Sequence, residues 1–244
     1  MVRNDPVEFL HRFKSSKDKE LAGFLSSQFA YGKVGVLRQF LEKLFSLMGE
    51  SPWKFVMEGD FSSLKGLYYR FQKADDIVYL FIILRRILEY FDSMGAMLQN
   101  FYTGDTRKMI WQIRDELIGS DERLTFFFPK PSESNPMKRW SLYLRWMVRK
   151  DEIDVGLWDF IPKNRLVIPL DTHIFKIGKC FGWTRLKSPS WKAACEITDV
   201  LKSFSPDDPL RYDFFLCQSV GINGKCTGVK TTDCIEKCLL LQNS

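Results

Sequence analysis

Apolar positions recur along most of this chain at intervals of three and four, the spacing of one face of a helix. Residues 19–31, KELAGFLSSQFAY, set Leu21, Phe24, Leu25 and Phe29 near one side, and Gly32 reads as the stop. Residues 34–48 repeat the pattern through Val34, Leu37, Leu41, Leu44 and Phe45. Residues 76–91, DIVYLFIILRRILEYF, are apolar almost all round and predict a central buried helix. A further helix is expected over 105–118.

The pattern breaks over 119–135, where turn formers and two prolines predict a loop. Asn135-Pro136 then reads as an N-cap followed by proline at the first helical position, opening a helix to about residue 150. Helices at about 172–181, 190–204 and 209–219 complete the series. No sustained two-residue alternation is present, so the expected class is all-α.

Composition adds bounds. The 244 residues suit one large domain or two small lobes, and 45% apolar residues with 21 Phe and 7 Trp can build a sizeable core. Internal repeats and low-complexity tracts are absent. The net charge of +6 suits an anionic partner such as nucleic acid, without demanding one. The N-terminus lacks an apolar signal region, and the longest apolar run, 77–84, is too short to span a bilayer. A cytoplasmic protein without a membrane partner is expected, its six cysteines held as thiols or metal ligands rather than disulfides.

Two residue types carry candidate chemistry. Asp171 ends an apolar run and precedes an amphipathic basic segment, PLDTHIFKIGKCFGW. An aspartate there caps a helix, and the helix end in turn favours its ionised form, which a general base or a stabiliser of cationic character needs. Lys138 falls in the first turn after Asn135-Pro136, with Arg145 and Arg149 spaced about two and three turns on, away from the apolar side made by Met137, Trp140, Tyr143, Leu144 and Met147. A neutral lysine amine is a nucleophile; a solvated basic face is the plainer alternative.

The segment PLDTHIFKIGKCFGW resembles the V-D-T-H-V-x-R-x-x-x-R-L-G-L segment of the helix-hairpin-helix (HhH-GPD) DNA glycosylases, matching it at Pro169, Asp171, Thr172, His173, Phe175, Lys176, Lys179 and Gly182. FLSSQFAYGKV, residues 24–34, resembles their L-S-x-Q-T-x-D motif. The chain also resembles, over nearly its whole length, a microbial family within that superfamily through AYGKV, LYYRFQKADD, LRWMVRKDEIDVGLW and IPLDTHIFKI.

The resemblance implies a single two-lobed helical bundle over residues 1–244 with a cysteine-rich tail at about 217–244. It implies a base-excision glycosylase, bifunctional as glycosylase and AP lyase. Lys138 would be the nucleophile on the sugar C1′ and Asp171 its acid–base partner. The implied partner is double-stranded DNA holding a damaged base, engaged by a monomer. Gln28 would enter the duplex, Arg139, Lys176 and Lys179 would face DNA, and His173 would tie the helix start to neighbouring backbone. Lys130, Lys163 and Arg165 are further phosphate candidates, and Trp140, Trp146, Trp158 and Phe175 are aromatics available for stacking. The Lys138–Asp171 separation is closer to the archaeal GO glycosylases than to endonuclease III-like members, which points to an oxidised base such as 8-oxoguanine.

Two departures matter. The family hairpin L-P-G-V-G-x-K-T is replaced here by SESNPMKRW, with no glycine pair, so the hairpin is altered. Cys217, Cys226, Cys234 and Cys238 stand where endonuclease III-like members hold a 4Fe–4S cluster, but at different spacing; iron–sulfur, zinc and free thiols are all open. Cys180 and Cys195 read as plain thiols. The altered hairpin keeps open a non-catalytic nucleic-acid-binding module, and fold analogy also permits an enzyme acting on RNA or a nucleoside.

Overall fold

The computed structural model describes residues 5–231, 234, 236 and 238–241. The expected all-α class is what the chain adopts. Among the described residues, the β structure is two isolated bridges, Tyr69 with Gln72 and Lys150 with Val155. No helix there is long and apolar enough to cross a membrane. The chain divides into two compact units, Met1–Pro131 with Tyr143–Ile161 and Ser132–Leu142 with Pro162–Ser244.

In the first unit, helix α1 covers Ser16–Gln28 and ends before Gly32, whose φ of 87° no ordinary residue adopts readily. Helix α2, Val34–Met48, buries Leu37, Leu41, Leu44 and Phe45 of the stripe read from the sequence together with Phe40 and Met48, while Val34, at the helix start, is exposed. Helix α3, Pro52–Glu58, was not visible in the apolar pattern because it is short. It is set by the Ser51 cap on Lys54 N and by proline in its first turn. Asp18 of α1 fixes it from below, accepting from Ser51 Oγ at 2.7 Å and Trp53 N at 2.8 Å.

Helix α4, Ala74–Phe91, corrects the expectation of burial all round. Ile77, Leu80, Phe81, Ile83, Leu84, Ile87 and Leu88 are buried, while Arg86, Glu89 and Tyr90 are exposed. Helix α5, Met94–Phe101, follows a Ser93 cap, and α6, Thr106–Ile113, follows an Asp105 cap. The helix expected to reach residue 118 changes after α6 into a π-helical turn, Arg114–Ile118. There the buried Arg114 guanidinium donates to the carbonyls of Phe128 (2.9 Å) and Asp121 (3.0 Å).

Helix α7, Lys138–Val148, begins later than expected. Asn135 does not cap it: its Oδ1 accepts from Met137 N at 2.9 Å, and Met137, at φ 56°, is the last residue before the helix. Residues 138–142 belong to the second unit and 143–148 to the first. In the first unit, Arg145 and Arg149 are not a solvated basic face. Both are buried and clamp the fully buried Asp154, Arg145 through Nη2 at 3.0 Å and Arg149 through Nη1.

The second unit has its own core. Ile168 and Leu170 lead into α8, Thr172–Cys180, and pack with Ile174, Ile177, Ala193, Ala194, Ile197, Leu201, Leu216 and Val220. Helix α9 is Trp191–Phe204, capped by Ser190. The helix expected over 209–219 is instead a π-helix at Phe215–Asn223. Gly221 lets it approach α8: a Cβ there would lie 2.6 Å from His173 Cβ. Ile168 N donates to Thr198 Oγ1 of α9 at 3.0 Å, and Trp191 N to Glu133 O at 3.4 Å.

Removing the Asp154 carboxylate takes from the buried Arg145 and Arg149 the anion they share, leaving Arg149 its pair with Asp151. Asp154→Ala should cost about 3–5 kcal/mol, read as a lower urea midpoint at unchanged slope. A loss below about 1 kcal/mol would mean that Arg145 and Arg149 reach water.

Candidate functional site

Asp171 occupies the N-cap of α8 in extended backbone. Its Oδ1 accepts from His173 N at 2.9 Å and Ile174 N at 2.8 Å, satisfying two of the helix's free donors. The cap therefore uses one oxygen. The other, Oδ2, accepts from the Cys217 thiol at 3.4 Å.

Cys217 lies on the π-helix, half-buried as a residue and packed against the second unit's core. Burial pushes its thiol well above the usual range, and the carboxylates of Asp171 and Asp213 push it further. The ammonium of Lys138 acts on the same thiol in the opposite direction. Lys138, Asp171, Cys217 and Asp213 thus share one electrostatic neighbourhood inside the second unit. At neutral pH the thiol is protonated, which makes it a hydrogen-bond donor to Asp171 and a poor nucleophile.

Lys138 opens α7, with Ser141 N bonded to Met137 O at 2.9 Å as the first helical bond. Helix stability does not explain a cation there, because the N-terminus is the positive end of the macrodipole. The residue before it, Met137, is buried at 3% exposure with a positive φ. Backbone strain of that kind in a bulky residue persists where surrounding structure enforces it, and such places cluster at functional sites.

The remaining expected site residues are dispersed. Gln28, the last residue of α1, is 0% exposed and so cannot reach a duplex as the structure stands, a correction to the reading of its motif. The His173 side chain does not tie the helix start to backbone; its Nδ1 is buried without a hydrogen-bond partner. Arg139 is half-buried beside Lys138, and Lys176 and Lys179 are exposed on α8, the latter donating to Arg185 O at 3.4 Å. Lys163 and Arg165 are exposed, and Lys130 is paired with Glu122. Trp140, Trp146 and Trp158 are core residues, and Trp158 Nε1 donates to Glu20 at 2.8 Å; Phe175 is half-buried against the second unit's core.

The four tail cysteines do not form the expected set. Among the described residues, no three of His, Cys, Asp and Glu are arranged to hold a metal ion. Cys217 faces Asp171, whereas Cys226, Cys234 and Cys238 act on Cys180 at the end of α8, whose thiol burial and those neighbours push up. Glycine 228 closes against this part of the helix, its missing Cβ 3.1 Å from Lys176 Cβ. Sequence reasoning missed the part that Asp213 and Cys217 play at the carboxylate. Their spacing of four, one helical turn, was a signal only once the segment was known to pack on α8.

Fold and site together define an all-α protein whose helix-capping carboxylate is bonded to a buried thiol and shares its surroundings with a lysine at a second helix start. The chain belongs to DUF2400, a family described as proteins of unknown function, which matches residues 5–223. The matched span contains Gln28, Lys138, Asp171 and Cys217 and ends before Cys226. No curated protein and no solved structure matches the chain.

Asparagine caps a helix as well as aspartate, so Asp171→Asn should keep the fold while removing a charge that holds the thiol protonated. In that variant iodoacetamide labelling of Cys217, mapped by mass spectrometry, should begin at lower pH than in the unaltered protein. Superimposable labelling profiles would sever the link between the two residues. Asp171→Ala, which loses the cap, should cost about 0.5–2 kcal/mol of stability as well.

Proposed function

We propose that this protein is a DNA base-excision glycosylase with lyase activity, acting on an oxidised base such as 8-oxoguanine. The observation that carries the reading is that Asp171 and Lys138 both act on the Cys217 thiol, Asp171 through a hydrogen bond and Lys138 through its charge. An amine and a carboxylate in one partly buried place are what iminium chemistry at a sugar requires.

The target nucleotide is first turned out of the duplex, since its glycosidic bond is out of reach in the stack. The Lys138 ammonium first gives a proton to solvent, and the freed Nζ lone pair forms a bond to C1′ as the bond from C1′ to the base breaks. The base leaves with that electron pair and takes up a proton. Asp171 accepts a proton from the alkylated amine and stabilises cationic character on the sugar. Opening of the C1′–O4′ bond, with a proton to O4′, gives the iminium. Loss of a C2′ proton then expels the 3′ phosphate, and water releases the lysine. The Cys217 thiol holds Asp171 Oδ2 in place and takes no part in bond making.

In this reading the protein works in the cytoplasm as a monomer, and its exposed Lys163, Arg165, Lys176 and Lys179 meet phosphates. The tail cysteines Cys217, Cys226, Cys234 and Cys238 enter as a candidate iron–sulfur or zinc element. Iron and zinc analysis of anaerobically purified protein measures this: the metal should be present in the unaltered protein and lost in Cys226→Ser. Metal-free protein removes it.

Borohydride trapping on duplexes carrying 8-oxoguanine, other oxidised bases or an abasic site tests the enzyme. A covalent protein–DNA band should form on a base lesion, vanish in Lys138→Gln and fall steeply in Asp171→Asn. Folded protein that yields neither adduct nor free base would leave a non-catalytic nucleic-acid-binding module, the reading favoured by the missing hairpin glycines and the buried Gln28. Base release from RNA or a free nucleoside alone would move the substrate, not the chemistry.

A further inference from the structure

The first unit exposes a tip that the chemistry above does not use. Tyr69 and Gln72 exchange backbone hydrogen bonds of 3.0 and 2.9 Å, closing a two-residue turn with Arg70 and Phe71 at its end. The turn is anchored. The Tyr69 hydroxyl donates to Tyr31 O, and the Tyr31 hydroxyl donates to Gln72 Oε1. Beneath it the buried Tyr69 ring packs on Phe29 and Phe40 at centroid distances of 5.8 and 4.8 Å.

Above this base two large rings face solvent, Tyr68 at 71% and Phe71 at 69% exposure. Arg70, at φ 53°, holds its guanidinium 5.4 Å from the Phe71 ring and 5.8 Å from the Tyr31 ring. Those two rings are nearly parallel, at 7°. Gly32 makes room for the arginine, since a Cβ there would lie 2.3 Å from Arg70 Nη1. Exposed Lys33, Val34 and Val36 follow directly on Gly32. Residues 61–74 carry Lys65, Arg70 and Lys73, with Asp60 before them and Asp75 and Asp76 after them.

A single exposed apolar residue needs no explanation; two large rings on a fixed turn beside the Arg70 guanidinium do. Rings already held in place lose little freedom when a flat partner settles on them. A nucleobase supplies a π-face whatever its sequence, and its backbone supplies negative charge for the flanking cations. The rings match the base and the cations match the phosphate, so the tip is complementary to an unpaired nucleotide in both respects.

We propose that the Tyr68–Arg70–Phe71 tip is a stacking platform for an unpaired nucleobase, with Arg70 and Lys33 holding the adjoining phosphates. This rests on the nucleic-acid reading and adds a binding site that the catalytic residues do not define.

The test is fluorescence anisotropy with the full chain, using a labelled single-stranded oligonucleotide, a duplex with a one-nucleotide gap and the intact duplex. Tyr68→Ala with Phe71→Ala should weaken the first two by about tenfold or more and the intact duplex much less. Phe71→Trp, which keeps a ring, should retain binding, and unchanged circular dichroism melts confirm folding. A double variant that binds each of the three probes as tightly as the unaltered protein overturns the platform and leaves the nucleic-acid reading standing. Failure of the unaltered protein to bind any probe at low salt overturns both. A dimer in light scattering that the double variant abolishes, without change in DNA affinity, would assign the tip to a second copy of this chain.

Discussion

The candidate site depends on how one carboxylate divides its two oxygens. Asp171 Oδ1 is consumed by the backbone of the helix it opens, and this fixes the side chain. Oδ2 then has one direction left to face, and what it meets there is a thiol kept protonated by burial. A thiolate would repel the carboxylate; a thiol donates to it. The capping geometry, the close approach of the π-helix allowed by Gly221, and the position of Cys217 are consequences of each other.

Helix α7 shows a similar economy. Its residues fall in both units, and the two parts treat positive charge in opposite ways. Arg145 and Arg149 are buried and neutralised by Asp154, so their charge serves the core. Lys138 is half-buried at the helix start, where the helix gains nothing from a cation, behind a methionine in strained backbone. Three basic residues at helical spacing therefore have two unrelated roles, and only the first of them stands with Asp171 and Cys217.

The aromatic residues divide by the same criterion of burial. Trp140, Trp146 and Trp158 fill cores, and Trp158 also meets the polar demand of Glu20. Two of the exposed rings, Tyr68 and Phe71, are on a turn, where no helical periodicity marks them. A turn fixed by tyrosine hydroxyls can hold such rings out in water without collapsing them onto the surface.

The sequence by itself determined the helices whose apolar stripe runs several turns, α1, α2, α8 and α9, because burial of a periodic face is a local property of the chain. It determined that Asp171 caps a helix, because capping needs only neighbouring backbone. Short α3 and α5 escaped for want of length. The π-turns after Ile113 and at Phe215–Asn223 escaped because what sets them is packing, not propensity. Tertiary structure alone decided that Gln28 is buried, that Arg145 and Arg149 share Asp154, and that Cys217 faces Asp171 while Cys180 is near the other tail cysteines. Each of these joins residues through space, by burial, charge or a hydrogen bond, and no periodicity along the chain carries that information.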